Sequence, residues 1–477
     1  MHRYSRSGEL FMNLQAPMSK LKKLGQRLGF ERDWYLIALG AIIGTLTAFG
    51  ALAFAEVLHL LEYWVADQRE AAGRWGWVTL FVFPLIGMGL TGVIVQLYAS
   101  EAKGHGVPQV IKALVQRGGE IPARIGIVKV IASILTVGSG GSAGTEGPIV
   151  QIGATAGSVF GRSLRVDREH LRTLVGCGAA AGIAAIFNAP IAGVFFVLEI
   201  LLRDFSLRTF MPIVISSVFA SVTTQAVTGE PTAIFDASQL AEAQFLPQEL
   251  PSYVVLGGVC GLVAVLFNRL LHWGEDVYDR VRIHPLLKPL TGALLLGSLG
   301  VAFIALSGVW QSEGRASVPD FYGNGYETIR SLLTSEPYGG GSIFAGDAAL
   351  LGFLFALVAF KAVATTLTLA SGGSGGVFAP SLFLGAATGG AVGLGLRELG
   401  LLPEGSSPAP YALVGMAAVV AGSTHAPLTA VLILFELTQN YRVILPIMLA
   451  AIMATIVARL MDRESIYTYR LLKAGLT

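Results

Sequence analysis

The chain of 477 residues is 53% hydrophobic and 13% charged, with a formal net charge of +2. Soluble domains carry roughly a quarter charged residues, so composition excludes a soluble globular protein. The charge comes without a basic stripe interleaved with aromatic residues, which excludes nucleic acid as a partner. The two cysteines, Cys177 and Cys260, are too few for a disulfide framework or a cysteine metal site, and we expect no cofactor.

The first 33 residues hold more basic than acidic side chains and place Leu21, Leu24 and Leu28 near helical spacing. This pattern predicts a cytoplasmic amphipathic segment over 1–33 that lies on the membrane surface. A disordered basic tail is the alternative for residues 1–17. The first thirty residues contain no sustained apolar stretch of the kind that a secretory signal needs.

Long apolar runs fill the rest of the chain, and several reach the roughly 20 residues that a membrane-spanning helix needs. We predict an all-α polytopic membrane protein. With 59 glycines and 20 prolines, many of its helices are expected to be broken, tilted or short. Broken backbone at membrane depth is stable only where it is buried or lines a wet cavity, which favours a transporter or channel. The predicted regions are a first membrane repeat (34–228), an external connecting loop (229–250), a second membrane repeat (251–461) and a short cytoplasmic segment (462–477).

Shorter hydrophobic segments within these regions are predicted as the individual helices. In chain order they are 34–61, 75–98, 110–115, 121–137, 147–161, 171–187, 189–202, 207–228, 253–272, 285–308, 324–334, 347–370, 377–396, 408–423, 426–438 and 442–460.

Residues 138–153 form a Gly/Ser-rich loop that contains Glu146 and runs through Gly147-Pro148 into an apolar segment. Proline is tolerated in the first turn of a helix, so a helix is predicted to begin here. The unpaired N–H groups and the positive dipole end of a helix N-terminus attract anions. Glu146 is therefore interpreted as a tethered carboxylate in a site equally suited to a free anion. A carboxylate that only caps its own helix is the structural alternative.

Two further Gly/Pro interruptions occur at 104–108 and 376–380. In the first, Gly104 and Gly106 allow close approach of an ion, and His105 can donate to an anion or titrate near neutral pH. The second offers backbone donors beside apolar side chains and no acid, which suits a weakly hydrated anion such as chloride. For 104–108, the alternative is a tight turn capped by the histidine. For 376–380, it is a glycine-rich contact between packed helices.

The two halves of the membrane region repeat each other in one order. Two homologous membrane halves are typical of secondary transporters, whose sites lie near the midplane where half-helix N-termini meet. The register therefore predicts that 104–108, 144–148 and 376–380 converge. The matched landmarks are 139–148 with 371–380 and Lys129 with Lys361 at an offset of 232, Pro190 and Glu199 with Pro427 and Glu436 at 237, and 104–106 with 323–325 at 219.

Four charged residues lie inside or at the end of apolar segments. Lys129 and Lys361 are predicted to give electrostatic support, by neutralising an acid or raising the local potential for anions, without contacting the ion. Glu199 and Glu436 close apolar helices at equivalent repeat positions, so we expect structural pairing roles for them.

Over nearly its whole length, the chain resembles the CLC family of chloride channels and chloride/proton antiporters, of the prokaryotic type without regulatory CBS domains. The family's three anion-binding signatures look like 104–108, 144–148 and 376–380, and its late tyrosine fits Tyr467. The resemblance implies two inverted-topology repeats of tilted and broken helices, a homodimer with one pore per subunit, and an extracellular-side gate at Glu146. The anion-binding residues it implies are Gly104, His105, Gly106, Gly144, Thr145, Gly147, Gly376, Val377, Phe378 and Tyr467.

Three positions depart from the family's pattern. His105 replaces the usual serine of the first signature, or the proline of some nitrate-selective members, which leaves the preferred anion open and permits pH dependence. Thr145 replaces a basic residue before the gate glutamate, so attraction of external anions is expected to be weaker. Ile200 stands one residue after Glu199, where antiporters usually have an internal proton glutamate, and its side chain cannot hold a proton.

The leading hypothesis is uncoupled, channel-like flux of chloride or a similar small anion across a lipid bilayer. The alternative is a chloride/proton antiporter with another internal proton route, through Glu199 or through His105 with water. A nucleotide-dependent enzyme is disfavoured, because a phosphate-binding loop needs Gly-Lys followed by Ser or Thr where this loop has Gly-Thr-Glu. A cation transporter needs several convergent carboxylates or carbonyls, and Glu146 is the one acid in the predicted centre. We expect no enzymatic reaction, and a bacterial inner membrane with both termini cytoplasmic.

Overall fold

The computed structural model describes residues 34–229, 235, 246–307, 319–338, 346–403, 406–439, 441–473 and 475. Helices make up most of these residues, and none of the residues described belongs to a β-strand. The predicted all-α fold class is confirmed. The amphipathic segment predicted over 1–33, and most of the connecting loop predicted over 229–250, lie outside the described residues.

The helices of both halves follow the predicted segments closely. In the first half they are α1 (Trp34–Ala71), α2 (Gly76–Tyr98), α3 (Val107–Gln116), α4 (Ala123–Gly138), α5 (Glu146–Ser163), α6 (Arg168–Phe187), α7 (Pro190–Phe196), which continues as the π-helical segment Val197–Leu202, and α8 (Leu207–Thr228). In the second half they are α9 (Leu250–Arg280), α10 (Lys288–Ser307), α11 (Tyr326–Leu332), α12 (Asp347–Ser371), α13 (Phe378–Glu398), α14 (Ala409–Thr424), α15 (Pro427–Thr438), α16 (Ile444–Met461) and α17 (Tyr469–Lys473).

Nine helical stretches of the described chain are long and apolar enough to cross a membrane, judged by length and composition. Helices α14 and α15 are apolar but shorter, with 16 and 12 residues. This mixture of full-length and short helices is the one expected from the glycine and proline content.

Two helices are longer than their apolar runs. Helix α1 has 38 residues and passes the predicted end at 61, and α9 has 31 residues and passes the predicted end at 272. The added turns are rich in Glu, Asp, Gln and Arg, residues that fit a helix without an apolar face. Helix α1 ends just before Gly73, whose φ of +50° lies in the left-handed region that favours glycine. An apolar run therefore marks the part of a helix that is apolar enough to cross a membrane, and not its full length.

The chain divides into two compact units. The first comprises the described residues up to 52, Gln109–Gly126, and the described residues from 149 to 229. Within it, α6 packs on α8 through small side chains such as Ala181, Ala184 and Ala220. The second comprises Ala53–Pro108, Ile127–Pro148 and the described residues from 235 onward, and in it α13 packs on α14.

Each unit contains the same glycine-mediated helix crossing. In the first unit, a side chain at Gly153 would collide with the Gly178 carbonyl oxygen, and one at Gly178 with the Gly153 carbonyl oxygen. In the second unit, Gly385 and Gly415 face each other in the same reciprocal way. Small residues let membrane helices approach to backbone contact. These positions are related by the offsets of 232 and 237, so the repeat seen in the sequence recurs as packing.

Candidate functional site

Three glycine loops of the second unit are joined by backbone hydrogen bonds. The Gly104 N–H donates to the Gly373 carbonyl at 3.1 Å, and the Gly104 carbonyl accepts from the Gly375 N–H at 3.3 Å. Gly144 and Gly376 exchange two bonds, of 2.8 and 2.6 Å, in an antiparallel bridge. The three loops therefore meet, as the repeat register predicts.

Three helices begin at these loops: α3 at Val107, α5 at Glu146 and α13 at Phe378. The first N–H groups of a helix have no partner within it, and the helix dipole adds partial positive charge there. Before α3 the chain turns through Gly104 and Gly106, whose φ values of +77° and +85° favour glycine. Three helix starts at adjoining loops create surroundings that favour a negative charge.

The Glu146 side chain turns back into these loops and is 3% exposed. Its Oε1 accepts a hydrogen bond from the Tyr326 hydroxyl at 2.9 Å. A Cβ at position 144 would lie 2.0 Å from its Oε2, and a Cβ at position 376 would lie 2.6 Å from it. Glycine at both positions therefore makes room for the carboxylate. A carboxyl group thus occupies the space beside the helix starts, which is the geometry expected of a tethered carboxylate in an anion site.

Tyr326 was missed by the sequence analysis. It is the first residue of α11, and its ring packs edge-on against buried Phe235 at 5.4 Å. The offset of 219 places Tyr326 at the position of Val107, directly after a Gly-x-Gly loop, and this was the available signal. Its hydroxyl fixes the Glu146 carboxylate beside the glycine loops.

The two buried lysines do not form the carboxylate pairs that we considered. The Lys129 amine donates to the Ala102 and Gly104 carbonyls at 3.1 and 2.5 Å. The Lys361 amine donates to the Phe321 and Gly323 carbonyls at 3.1 and 2.9 Å. Each lysine therefore fixes the Gly-x-Gly loop of its own half.

His105 is 1% exposed, and neither ring nitrogen has a hydrogen-bond partner among the described residues. Its Nε2 lies 3.8 Å from Oε1 of Glu275, and its ring centroid is 6.0 Å from that of Tyr467. Glu275 was also missed, because it lies in the part of α9 beyond the predicted end at 272. The first loop therefore faces a buried carboxylate that sequence reasoning did not place there.

Tyr467 is 2% exposed and lies in the tail that follows α16. The Ile466 N–H donates to the Ser423 carbonyl at 2.9 Å, and the Asn268 side-chain amide donates to the same carbonyl at 3.1 Å. These bonds hold the tail so that Tyr467 lies beside His105. The other residues implied as anion-binding, Thr145, Gly147, Val377 and Phe378, lie in the loops and helix starts described above.

Ile200 is 6% exposed and lies in the π-helical segment of the first unit. Its repeat equivalent lies in α15, which is a regular α-helix through Glu436. Glu199 and Glu436 are both half-buried and both make interactions. Their structural pairing roles remain a prediction.

Comparison with known proteins gives consistent sequence matches. The model of the family described as "Voltage gated chloride channel" matches residues 87–459. The chain is 34% identical to the "Putative chloride channel protein ClcB-like" of Ralstonia nicotianae, over 91% of this chain and 95% of that protein. It is 28% identical to the "Voltage-gated ClC-type chloride channel ClcB" of Escherichia coli, over 90% and 97% of the two chains.

Solved structures show the same fold. One is described as a slow cyanobacterial Cl⁻/H⁺ antiporter and matches with a TM-score of 0.76 and 25% identity, covering 92% of this chain and 97% of that one. A CLC-type fluoride/proton antiporter matches with a TM-score of 0.71 and 24% identity, covering 91% and 97%.

Proposed function

Because the chain belongs to the voltage-gated chloride channel (CLC) family, we propose that it passes chloride, or a similar small anion, along a path closed by the Glu146 side chain. Membership makes it an integral multi-pass membrane protein of anion transport. The observation that supports the Glu146 gate is the position of its carboxylate, in a glycine-lined space where three helices begin. A free anion and this carboxylate compete for the same donors.

The proposed gate works by removing the tethered charge. When Glu146 swings out or takes up an external proton, the helix starts lose their internal negative partner and accept a free anion instead. In this proposal the path is lined by the groups implied from the family resemblance: Gly104, His105, Gly106, Gly144, Thr145, Gly147, Gly376, Val377, Phe378 and Tyr467.

We propose that the flux is not coupled to protons. Coupled exchange needs a proton-carrying group on the internal side, and Ile200 offers none at the position where antiporters of the family usually have a glutamate. The alternative is a chloride/proton antiporter with another internal route. It is favoured by one observation, that a solved structure of the same fold at 25% identity is described as a Cl⁻/H⁺ antiporter.

The proposal further includes a homodimer with a separate path in each subunit. It places the protein in a bacterial inner membrane with both termini cytoplasmic, since the basic excess of residues 1–33 favours that side. It assigns transport and no chemical reaction to the site.

The gate is tested by chloride efflux from reconstituted vesicles, comparing the unmodified protein with Glu146→Gln. Glutamine keeps the shape of the side chain and removes its charge, so we expect faster efflux with a weaker dependence on external pH. Glu327→Gln is the matched control, because Glu327 is exposed and follows Tyr326 in α11, and its efflux should be unchanged. Efflux of Glu146→Gln equal to that of the unmodified protein, with the same pH dependence, would overturn the gate.

A further inference from the structure

A buried acid–base pair adjoins the first glycine loop. His105 and Glu275 are 1% and 3% exposed, and His105 Nε2 is 3.8 Å from Glu275 Oε1. Both histidine nitrogens and this carboxylate oxygen lack hydrogen-bond partners among the described residues. Buried polar atoms are nearly always paired, so three unpaired atoms in one place point to something that binds there.

Glu275 is held in this position by the tail of the chain. The Arg470 Nε donates to Glu275 Oε2 at 2.8 Å, so one carboxylate oxygen is fixed and the other remains directed to His105. One residue further along α9, Asp276 accepts from the Lys473 amine at 2.6 Å, which fixes α17 on the same helix. Closing the gap between His105 and Glu275 by about 1 Å gives an ordinary N–H···O distance.

We propose that the His105–Glu275 pair binds one proton together with the anion at the first glycine loop, so that pH sets the anion affinity of the site. A neutral imidazole has one donor nitrogen and one bare acceptor nitrogen, and the acceptor repels an anion. The imidazolium has two donors, one for Glu275 Oε1 and one, Nδ1–H, for the anion. The anion itself rests on the proposed function, whereas the proton and its partner Glu275 extend it.

The charges around the pair make the two ligands depend on each other. Positive neighbours disfavour a lone imidazolium, whereas Glu275 and a bound anion both stabilise it. Proton and anion therefore raise each other's affinity, by the reciprocity of coupled binding. The groups that face His105 are Glu275, Arg470, Lys129, His272 and Tyr467, and those that face Glu275 from other positions are Lys103 and Asp279.

This proton does not have to cross the membrane. The pair can take it up from one solution when the anion binds and return it to the same solution when the anion moves on, because Ile200 provides no onward carrier. Uncoupled flux and pH-dependent occupancy are therefore compatible in one site.

The test measures protons taken up per chloride bound, by isothermal titration calorimetry of the purified protein in buffers with different ionisation heats. Glu146→Gln serves as the background, so that the gate carboxylate contributes no proton. In this background we expect proton uptake approaching one per chloride, and a chloride Kd that rises up to about tenfold per pH unit above the pKa of the pair. Glu275→Gln and His105→Asn, each added to the background, should abolish the uptake and flatten the pH dependence.

Asp279→Asn is the matched control, an acid-to-amide change one turn further along α9 at a residue that is 56% exposed, and it should leave the uptake in place. Unchanged proton uptake in both Glu275→Gln and His105→Asn would overturn the inference while leaving chloride transport standing. A chloride Kd independent of pH in the background protein would overturn it too. Absence of both chloride binding and chloride flux in the unmodified protein would overturn the proposed function as well, which separates the two failures.

Discussion

The hydroxyl of Tyr326 donates a hydrogen bond to Glu146. Removing this hydroxyl therefore tests the proposed gate without changing the Glu146 side chain. Tyr326→Phe deletes the one oxygen that donates to Glu146 Oε1 at 2.9 Å and keeps the ring that packs on Phe235. The inward position then loses a hydrogen bond that is specific to it. The variant should therefore open more readily than the unmodified protein.

The size of the effect follows from the charge of the acceptor. A hydrogen bond to a charged group contributes roughly 1.5–3 kcal/mol, and one to a neutral group roughly 0.5–1.5 kcal/mol. Since about 1.4 kcal/mol is a factor of ten, the ratio of inward to outward populations should fall by roughly 10- to 100-fold while the carboxylate is ionised. The effect should be smaller at acid pH, where Glu146 is protonated and the bond is neutral.

The assay is chloride efflux from vesicles over a range of external pH, under conditions where the gate of the unmodified protein is mostly closed. Tyr322→Phe is the matched control, because its hydroxyl donates to the Leu296 carbonyl at 3.0 Å and not to the gate. We expect faster efflux from Tyr326→Phe alone. Unchanged or slower efflux, in a variant with normal thermal stability, would refute the role of this hydrogen bond.

Three further changes follow from the same geometry. Gly376→Ala places a Cβ 2.6 Å from Glu146 Oε2, so the carboxylate should be expelled and efflux should resemble that of Glu146→Gln; normal gating in a folded variant would contradict this. Lys129→Met removes one donor from the Ala102 carbonyl, which keeps the Ser374 hydroxyl, and one from the Gly104 carbonyl, which keeps the Gly375 N–H. At a cost of about 0.5–1.5 kcal/mol for each lost bond, the unfolding temperature should drop, and an unchanged Tm would count against the anchoring role. Between the π-helical segment and α8, the Ser206 backbone N–H holds the pKa of Asp204 below its ordinary 3.8, so the stabilisation from Asp204 is present above that value and is lost as pH falls through the lower, folded pKa. Asp204→Asn should therefore lower the Tm at about pH 7 and have little effect near pH 2, and an equal loss at both would refute the assignment.

Much of the fold could be predicted because apolar runs and glycine positions in the sequence indicate where membrane helices lie. The helix start at Glu146 followed from Gly147-Pro148, and the meeting of the three loops followed from offsets between repeated landmarks. The errors in the predicted helix ends also have a physical cause. Helices α1 and α9 extend past their apolar runs, since polar residues continue a helix without any signal from hydropathy.

The contacts within the site could not be predicted in the same way. Tyr326 meets Glu146 across 180 positions of sequence, and the pairing depends on how two separate helix starts are placed. Lys129 was expected to act through its charge, whereas its hydrogen bonds to backbone carbonyls of the loop were not predicted. Glu275 lies beyond the apolar run of α9, and Arg470 of the tail fixes one of its carboxylate oxygens while the other faces His105.

Gating by Glu146 without proton movement can be measured as chloride efflux from vesicles with external pH recorded at the same time, for the unmodified protein and for Glu146→Gln. We expect chloride flux in both proteins, with no proton movement against a proton gradient in either. Stoichiometric proton uptake by the unmodified protein, abolished in Glu146→Gln, would contradict this expectation and identify a chloride/proton antiporter.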